Sequence, residues 1–278
     1  MDTYYNNGDF ITADQALISV DDLSVLRGYG VFDFLRTYNS VPFHLRDHLH
    51  RLERSAQLIG LTLSKTVDEL EEIVNETLQR NNHQESNIRI VVTGGLSPDN
   101  ITPGTSPRLM VMVTDITTFP DEIYSDGAKV ITSHVDRFMP GAKSINYIPA
   151  ILCQEEARSQ QAIEAVYVDR GGYLLEGTTS NFFALFGKTL VTPPTDRLLP
   201  GITRQVVLEL AGKEYVIEIR NIHKDEIRLM DEAFITSSVK EVVPVVAIDA
   251  TKLSGERPGL QTRKIMHLFK GYTAGYTG

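Results

Sequence analysis

A chain of 278 residues, 42% hydrophobic and 23% charged, has the make-up of an ordinary soluble globular protein and length for one or two cored domains. Its formal charge of −9 argues against bulk attraction to nucleic acid or an anionic membrane, so neither is an expected partner. A single cysteine, Cys153, excludes an internal disulfide; with no basic-then-apolar leader at Met1-Asp2-Thr3-Tyr4-Tyr5-Asn6 and no membrane-length apolar run, the expected address is the cytoplasm.

In chain order, residues 3–5 and 10–11 read as a hairpin turning at Asn6-Asn7-Gly8-Asp9. A second hairpin is predicted over 30–45, turning at Asn39-Ser40. Leu45, Leu49, Leu52, Ala56 and Ile59 then recur at helical spacing, and Thr66-Val67-Asp68-Glu69 has the form of a capping box. The box opens a helix with the apolar stripe Val67, Leu70, Ile73, Val74 and Leu78. Strands follow at 88–93 and 109–113. The pattern breaks at Thr117-Thr118-Phe119-Pro120, a candidate interdomain linker.

Beyond it, a strand is expected at 129–135 and a helix after Pro149, a residue tolerated in a first turn. Strands at 165–168 and 173–175 flank the turn Asp169-Arg170-Gly171-Gly172, and 181–185 reads as another. Helix, strand, short helix and strand alternate through Thr236, and a last helix covers much of 264–272. The simplest architecture is α+β in two units, the second more barrel-like.

The chemistry concentrates in two stretches. Lys143 stands in Gly141-Ala142-Lys143-Ser144-Ile145-Asn146-Tyr147, between apolar segments, where a buried loop end suits it better than open surface. About thirty residues on comes Leu175-Glu176-Gly177-Thr178-Thr179-Ser180-Asn181. A lysine can hold an aldehyde as an imine, and a carboxylate can keep a pyridine nitrogen protonated. Further on, Gly201-Ile202-Thr203-Arg204-Gln205 opens a helix whose first amides, Ile202 and Thr203, suit an anion. Ser237 and Ser238 form a second polar turn.

Taken in this order, these motifs resemble the class IV aminotransferases, the fold type IV pyridoxal 5′-phosphate enzymes: D-amino acid aminotransferase, branched-chain aminotransferase and aminodeoxychorismate lyase. The match runs from Arg27 to Ser238. The resemblance implies a small N-terminal α/β domain (1–116), a linker (117–123) and a larger C-terminal α+β pseudo-barrel domain (124–278) that binds the cofactor. It implies a homodimer with sites at the domain boundary.

By the same resemblance Lys143 is the Schiff-base lysine and proton carrier. That role requires a pocket that depresses its pKa, because an ammonium accepts no proton. Glu176 is assigned to the pyridine nitrogen and Leu199 to packing on the ring. Arg51, Ile202, Thr203, Ser237 and Ser238 are assigned to the phosphate, and Tyr147 lies close to the lysine.

For the substrate, the S-P-R-x-H carboxylate trap of typical D-amino acid aminotransferases is replaced by Ser97-Pro98-Asp99-Asn100-Ile101, where an aspartate would repel a carboxylate. Branched-chain enzymes usually carry a tyrosine before their G-x-x-V-F-E segment; this chain has Arg27 before Gly28-Tyr29-Gly30-Val31-Phe32-Asp33. Arg27, contributed to the neighbouring subunit's site, and Arg89, a charge inside an apolar strand, are candidates for a carboxylate clamp. Such a pair resembles a non-standard group of D-amino acid transaminases. Arg89 has a competing reading as a solvent-facing strand position. Phe32 is a further substrate candidate, and Lys240 a candidate positive charge at the entrance. The expected activity is amino transfer from a D-amino acid to a 2-oxo acid such as 2-oxoglutarate, with L-branched-chain transamination and the lyase reaction as alternatives. His44, His48 and His50 lack the partners of a closed metal site, so no metal is expected.

Overall fold

The structure, a computed structural model, describes residues 1–116 and 118–278. The chain packs as two compact units: Met1–Thr117 with Ala142–Asn146 and Tyr276–Gly278, and Thr118–Gly141 with Tyr147–Gly275. Thr117, the first residue of the expected 117–123 linker, lies outside the described residues. Ala142–Asn146, which the sequence reading assigned to the C-terminal part, packs within the first unit.

The first unit is a six-stranded sheet in the order β2-β1-β6-β5-β3-β4. Its strands are β1 (Thr3–Asn6), β2 (Asp9–Thr12), β3 (Gly30–Tyr38), β4 (Val41–Pro42), β5 (Ser86–Thr93) and β6 (Arg108–Asp115). The β3–β4 turn places Asn39 and Ser40 at φ values of 53° and 61°, the left-handed pair that a two-residue hairpin connection requires. A five-residue helix α1 (Leu23–Arg27), which periodicity does not reveal, is capped by Asp22, whose carboxylate accepts from Ser24 N. Helices α2 (Leu45–Leu58) and α3 (Val67–Gln79) complete the unit, and the capping box at Thr66 and Glu69 forms in both directions. Val31 and Leu35 of β3 pack with Leu49 and Leu52 of α2 and with Leu70 and Val74 of α3. Beside its apolar stripe, α2 also buries His48, Arg51 and Ser55.

The second unit carries α4 (Glu122–Ser125), β7 (Ala128–His134), α5 (Ile148–Ser159), β8 (Glu164–Val168), β9 (Tyr173–Gly177), β10 (Asn181–Phe186), β11 (Thr189–Thr192) and α6 (Ile202–Ala211). It continues with β12 (Val216–Ile219), β13 (Ile222–His223), β14 (Glu232–Ser237), β15 (Glu241–Ile248), β16 (Thr251–Lys252) and α7 (Leu260–Ala274). Strands β10, β14, β15, β7, β8 and β9 follow one another as neighbours, and β9 returns to β10, so the sheet closes into a barrel. The closing pair is Glu176 opposite Asn181. Closure removes sheet edges and leaves inward Val166, Phe182, Ile235 and Val243 to fill one core. At the start of α7, the Glu232 carboxylate accepts from Gln261 N at 3.0 Å and Thr262 N at 2.6 Å.

Strands β11 and β15 are absent from the sequence reading. In β15, Pro244 interrupts the run Glu241-Val242-Val243-Pro244-Val245, a residue that argues against an interior strand. The fold accommodates it opposite Phe234 of β14, while pairing to β7 begins only at Val245. The first-turn proline of α5 is found as expected. Among the described residues, no helix is long and apolar enough to cross a membrane.

Candidate active site

The candidate residues fall into two groups, one in each unit. In the first unit, Lys143 belongs to a short extended segment that completes the edge of β3. Its carbonyl accepts from Phe32 N at 2.9 Å, Ile145 N donates to Gly30 O, and Ser144 bridges to Val31. Ser55 Oγ accepts from Lys143 N at 3.1 Å and donates to Arg51 O at 2.7 Å, so one α2 hydroxyl ties the lysine backbone to the helix. The Lys143 ammonium lies 4.8 Å from the centroid of the Phe32 ring. Arg89, across the β3–β5 pair, stands 5.2 Å from that ring and 4.9 Å from Phe34. Both side chains thus lie near one aromatic ring, whose π-system attracts positive charge.

Arg89 is exposed. This is the solvent-facing position that its place in an apolar strand left open, yet the side chain lies over aromatic rings. Arg27 is exposed in the last turn of α1, its Nη1 donating to Leu26 O.

Arg51 is buried. Its Nε and Nη2 donate to the two Asp33 oxygens at 2.9 and 2.7 Å, and Asp33 Oδ1 also lies 2.7 Å from His48 Nδ1. Burial alone would raise the Asp33 pKa, but Arg51 and His48 together hold it well below the usual carboxylate range. For His48 burial dominates and, helped by Arg51 and Lys143, keeps the imidazole below its ordinary value despite Asp33. A charged Asp33 fixes the tautomer: Nδ1–H donates to it, and Nε2 is left as a buried acceptor without a partner among the described residues. The other two histidines of this stretch face Asp47 and Glu53 instead.

The loop at Ser97 is organised by Asp99. Its carboxylate accepts from Ile101 N, Thr102 N, Thr102 Oγ1 and Ser97 Oγ. Those donors hold its pKa down, with the Thr102 backbone as the largest influence. The aspartate in place of the arginine trap is therefore the residue that folds this loop.

In the second unit, Glu176 is nearly buried at the barrel's closing pair. It accepts from Arg137 through Oε1 and from Leu199 N through Oε2 at 3.0 Å. Leu199 O accepts from Asn181 Nδ2 at 2.9 Å, so the leucine backbone bridges the closing pair. Gly201 follows after Pro200; a Cβ there would lie 1.9 Å from Asn181 Oδ1, which leaves only glycine room. Gly201 is also the N-cap of α6 and gives no side-chain cap, so the first turn presents Ile202 and Thr203 with amides suited to an anion. Arg204, one residue on, is buried among neutral oxygens, donating to Thr192 Oγ1 and Pro193 O. Desolvation lowers its pKa to about 10, which keeps it cationic at neutral pH.

Ser237 ends β14, and its Oγ accepts from Lys240 N at 3.1 Å across the turn. Lys240 departs from the expectation of a charge offered at an entrance. Its ammonium pairs with the buried Glu164 carboxylate at 2.6 Å and with Thr179 Oγ1 at 2.9 Å. Tyr147 stands at the N-cap of α5.

Three participants escape the sequence reading. Arg137 lies in an irregular stretch with no periodicity to mark it, and Ser55 is a common helix residue. Glu164 had a usable signal: a carboxylate between Ile163 and Ala165-Val166 in an apolar strand calls for a buried partner.

Comparison with known proteins identifies the family. The family model described as amino-transferase class IV matches residues 30–248. A putative branched-chain-amino-acid aminotransferase of Methanocaldococcus jannaschii is 35% identical over 275 residues, 96% of this chain and 94% of the relative. A D-alanine aminotransferase of Staphylococcus epidermidis is 31% identical over 278 residues, 98% of each chain. The crystal structure of a T.th. branched-chain amino acid aminotransferase with pyridoxamine 5′-phosphate superimposes with a TM-score of 0.92 at 28% identity, covering 99% of this chain and 94% of that one. Lysine strand-edge, closing-pair glutamate and uncapped helix start thus occur in a chain that belongs to the class IV aminotransferases.

Proposed function

We propose that this aminotransferase takes its amino group from a D-amino acid and passes it to a 2-oxo acid such as 2-oxoglutarate. Its cofactor is pyridoxal 5′-phosphate, which when bound supplies the electron sink that lets a proton leave the substrate α-carbon. The donor set fits that group: an amine, a carboxylate already oriented by two donors, and a helix start without a side-chain cap.

Lys143 would hold the cofactor and, as a free amine, would move the proton at the substrate α-carbon. Glu176 would keep the pyridine nitrogen protonated, and Leu199 would pack on the ring. The amides of Ile202 and Thr203, the turn at Ser237 and Ser238, and Arg51 take the phosphate. Tyr147 lines the lysine's surroundings.

The observation that carries the substrate reading is the Phe32 ring shared by Lys143 and Arg89. A substrate whose reacting carbon meets the lysine has a guanidinium within reach for its carboxylate. Arg27, supplied by the second subunit of a homodimer, completes the clamp in place of the trap that Asp99 has closed off. L-Branched-chain substrates are the alternative, supported by the apolar Phe32 and Phe34 on the same face.

Steady-state assays with D-alanine and L-leucine against 2-oxoglutarate, and with D-glutamate against pyruvate, decide between them; turnover of L-leucine alone rejects the D-specific reading. An Arg27→Ala enzyme with unchanged KM rejects the clamp. Mixing Lys143→Ala with Arg27→Ala protein tests the shared site, since heterodimers regain one intact site only if Arg27 acts across subunits. Borohydride reduction of cofactor-loaded protein should label position 143; labelling elsewhere refutes the lysine assignment.

A further inference from the structure

Glu164, at the start of β8, has no solvent exposure. Among the described residues, the hydrogen bonds to its carboxylate come from two turns. Oε1 accepts from Thr178 Oγ1 and Thr179 Oγ1 at 3.0 Å each and from Thr179 N; Oε2 accepts from Ser180 Oγ at 3.0 Å and Lys240 Nζ at 2.6 Å. Thr178, Thr179 and Ser180 connect Glu176 to Asn181, the barrel's closing pair. Lys240 ends the turn that carries Ser237 and Ser238, and its own amide is held by Ser237 Oγ. Thr179 Oγ1 donates to Glu164 and accepts from Lys240, which closes a small ring of polar groups.

We propose that Glu164 and Lys240 are positioning residues for the cofactor: a buried ion pair that locks the pyridine-side turn, residues 176–181, to the phosphate-side turn, residues 237–240. This inference rests on the reading above that those two turns hold pyridoxal 5′-phosphate.

A buried, fully bonded carboxylate costs desolvation and is a poor choice for stability alone; apolar residues would serve as well or better. What it offers is geometry. A carboxylate accepts along several directions at once, so one group orients three hydroxyls, an amide and an ammonium. The surrounding space admits nothing bulkier, since a Cβ on Gly177 would come 2.3 Å from Ser180 Oγ and 2.9 Å from Glu164 Oε1. A ligand gripped at both ends loses affinity when the spacing of its two holders slackens, because ordering them must then be done at binding. The lock also gives Lys240 a role other than meeting substrate.

The test uses the full-length protein, stripped of cofactor and titrated with pyridoxal 5′-phosphate, as wild type, Glu164→Gln, Lys240→Met and the double variant. Two readouts are taken: the cofactor dissociation constant from visible absorbance, and the Tm of the cofactor-free protein. Each single variant should raise the dissociation constant at least about tenfold, the usual scale for losing a group that orients a ligand's direct partners. The double variant should be no worse than the poorer single one, since both break the same lock. Lys240→Met keeps the test open if Glu164→Gln fails to fold.

Unchanged cofactor affinity with a lowered Tm would make the pair merely structural and overturn the proposal. So would additive losses, or a Lys240→Met enzyme with intact cofactor affinity and a raised KM for the amino donor. A wild-type protein that binds no pyridoxal 5′-phosphate would instead overturn the functional reading beneath it.

Discussion

Replacing Asp33 by asparagine keeps the shape of a fully buried side chain and removes one charge. In the structure that charge receives Arg51 Nε at 2.9 Å, Arg51 Nη2 at 2.7 Å and His48 Nδ1 at 2.7 Å, all away from solvent. The amide accepts at one atom only, and its NH2 faces donors, so the buried Arg51 guanidinium loses the carboxylate charge that it is bonded to. Breaking a buried pair from one side costs about 3–5 kcal/mol, less than the sum of three charge-assisted bonds because these are not additive. With a urea slope of about 2 kcal/mol/M, the unfolding midpoint of cofactor-free Asp33→Asn protein should fall by about 1.5–2.5 M at unchanged slope. Circular dichroism is the assay, since the chain has no tryptophan to follow. The double variant Asp33→Asn/Arg51→Met should recover part of the loss by removing the stranded cation. A midpoint shift below about 0.5 M, or a double variant worse than the single one by the full cost of Arg51→Met, would refute the view that Asp33 neutralises Arg51.

Other expectations concern pH and local packing. His48 is held neutral below its ordinary value of 6.5, so the unfolded chain takes up its proton first as pH falls. Its contribution is fully present above 6.5 and is lost on acidification; denaturation at pH 7.5 and 5.5 should show a drop that His48→Gln reduces, and parallel profiles would count against it. Asp33, also depressed, adds a second loss only as pH falls below the ordinary carboxylate range. Gly201→Ala forces Asn181 off Leu199 O, costing about 1–3 kcal/mol from overpacking and weakening cofactor binding; unaltered titration curves would refute the link from Asn181 to Glu176. Glu232→Ala strips the acceptor from the first amides of α7 and should lower stability by about 0.5–2 kcal/mol in the same urea assay, an unmoved midpoint meaning that water replaces it.

Local chemistry was readable in the sequence where it was decided locally. The Asn-Gly and Asn-Ser turns, the capping box at Thr66 and the glycine before Ile202 depend on neighbours within a few residues, and the structure has each of them. The lysine and glutamate motifs led to the family by resemblance. Long-range choices left no such trace. Nothing near Arg137 announces Glu176, 39 residues away, and nothing near Lys240 announces Glu164, 76 residues back. Pro244 masks β15 because a proline is harmless only at a place where no ladder bond is needed, which pairing alone reveals. Likewise, the boundary expected at 117–123 overlooks Ala142–Asn146, whose membership in the first unit follows from the vacant edge of β3.

That last feature bears on how the protein is made. The edge of β3 at Gly30, Val31 and Phe32 stays unpaired on a nascent chain until residue 146 has left the ribosome. The Phe43 and His44 corner waits longer, for Tyr276, whose hydroxyl accepts the His44 amide at 2.8 Å. A fragment cut at residue 117 would therefore expose sticky strand backbone, and chaperone dependence should be greatest while that segment is still being translated.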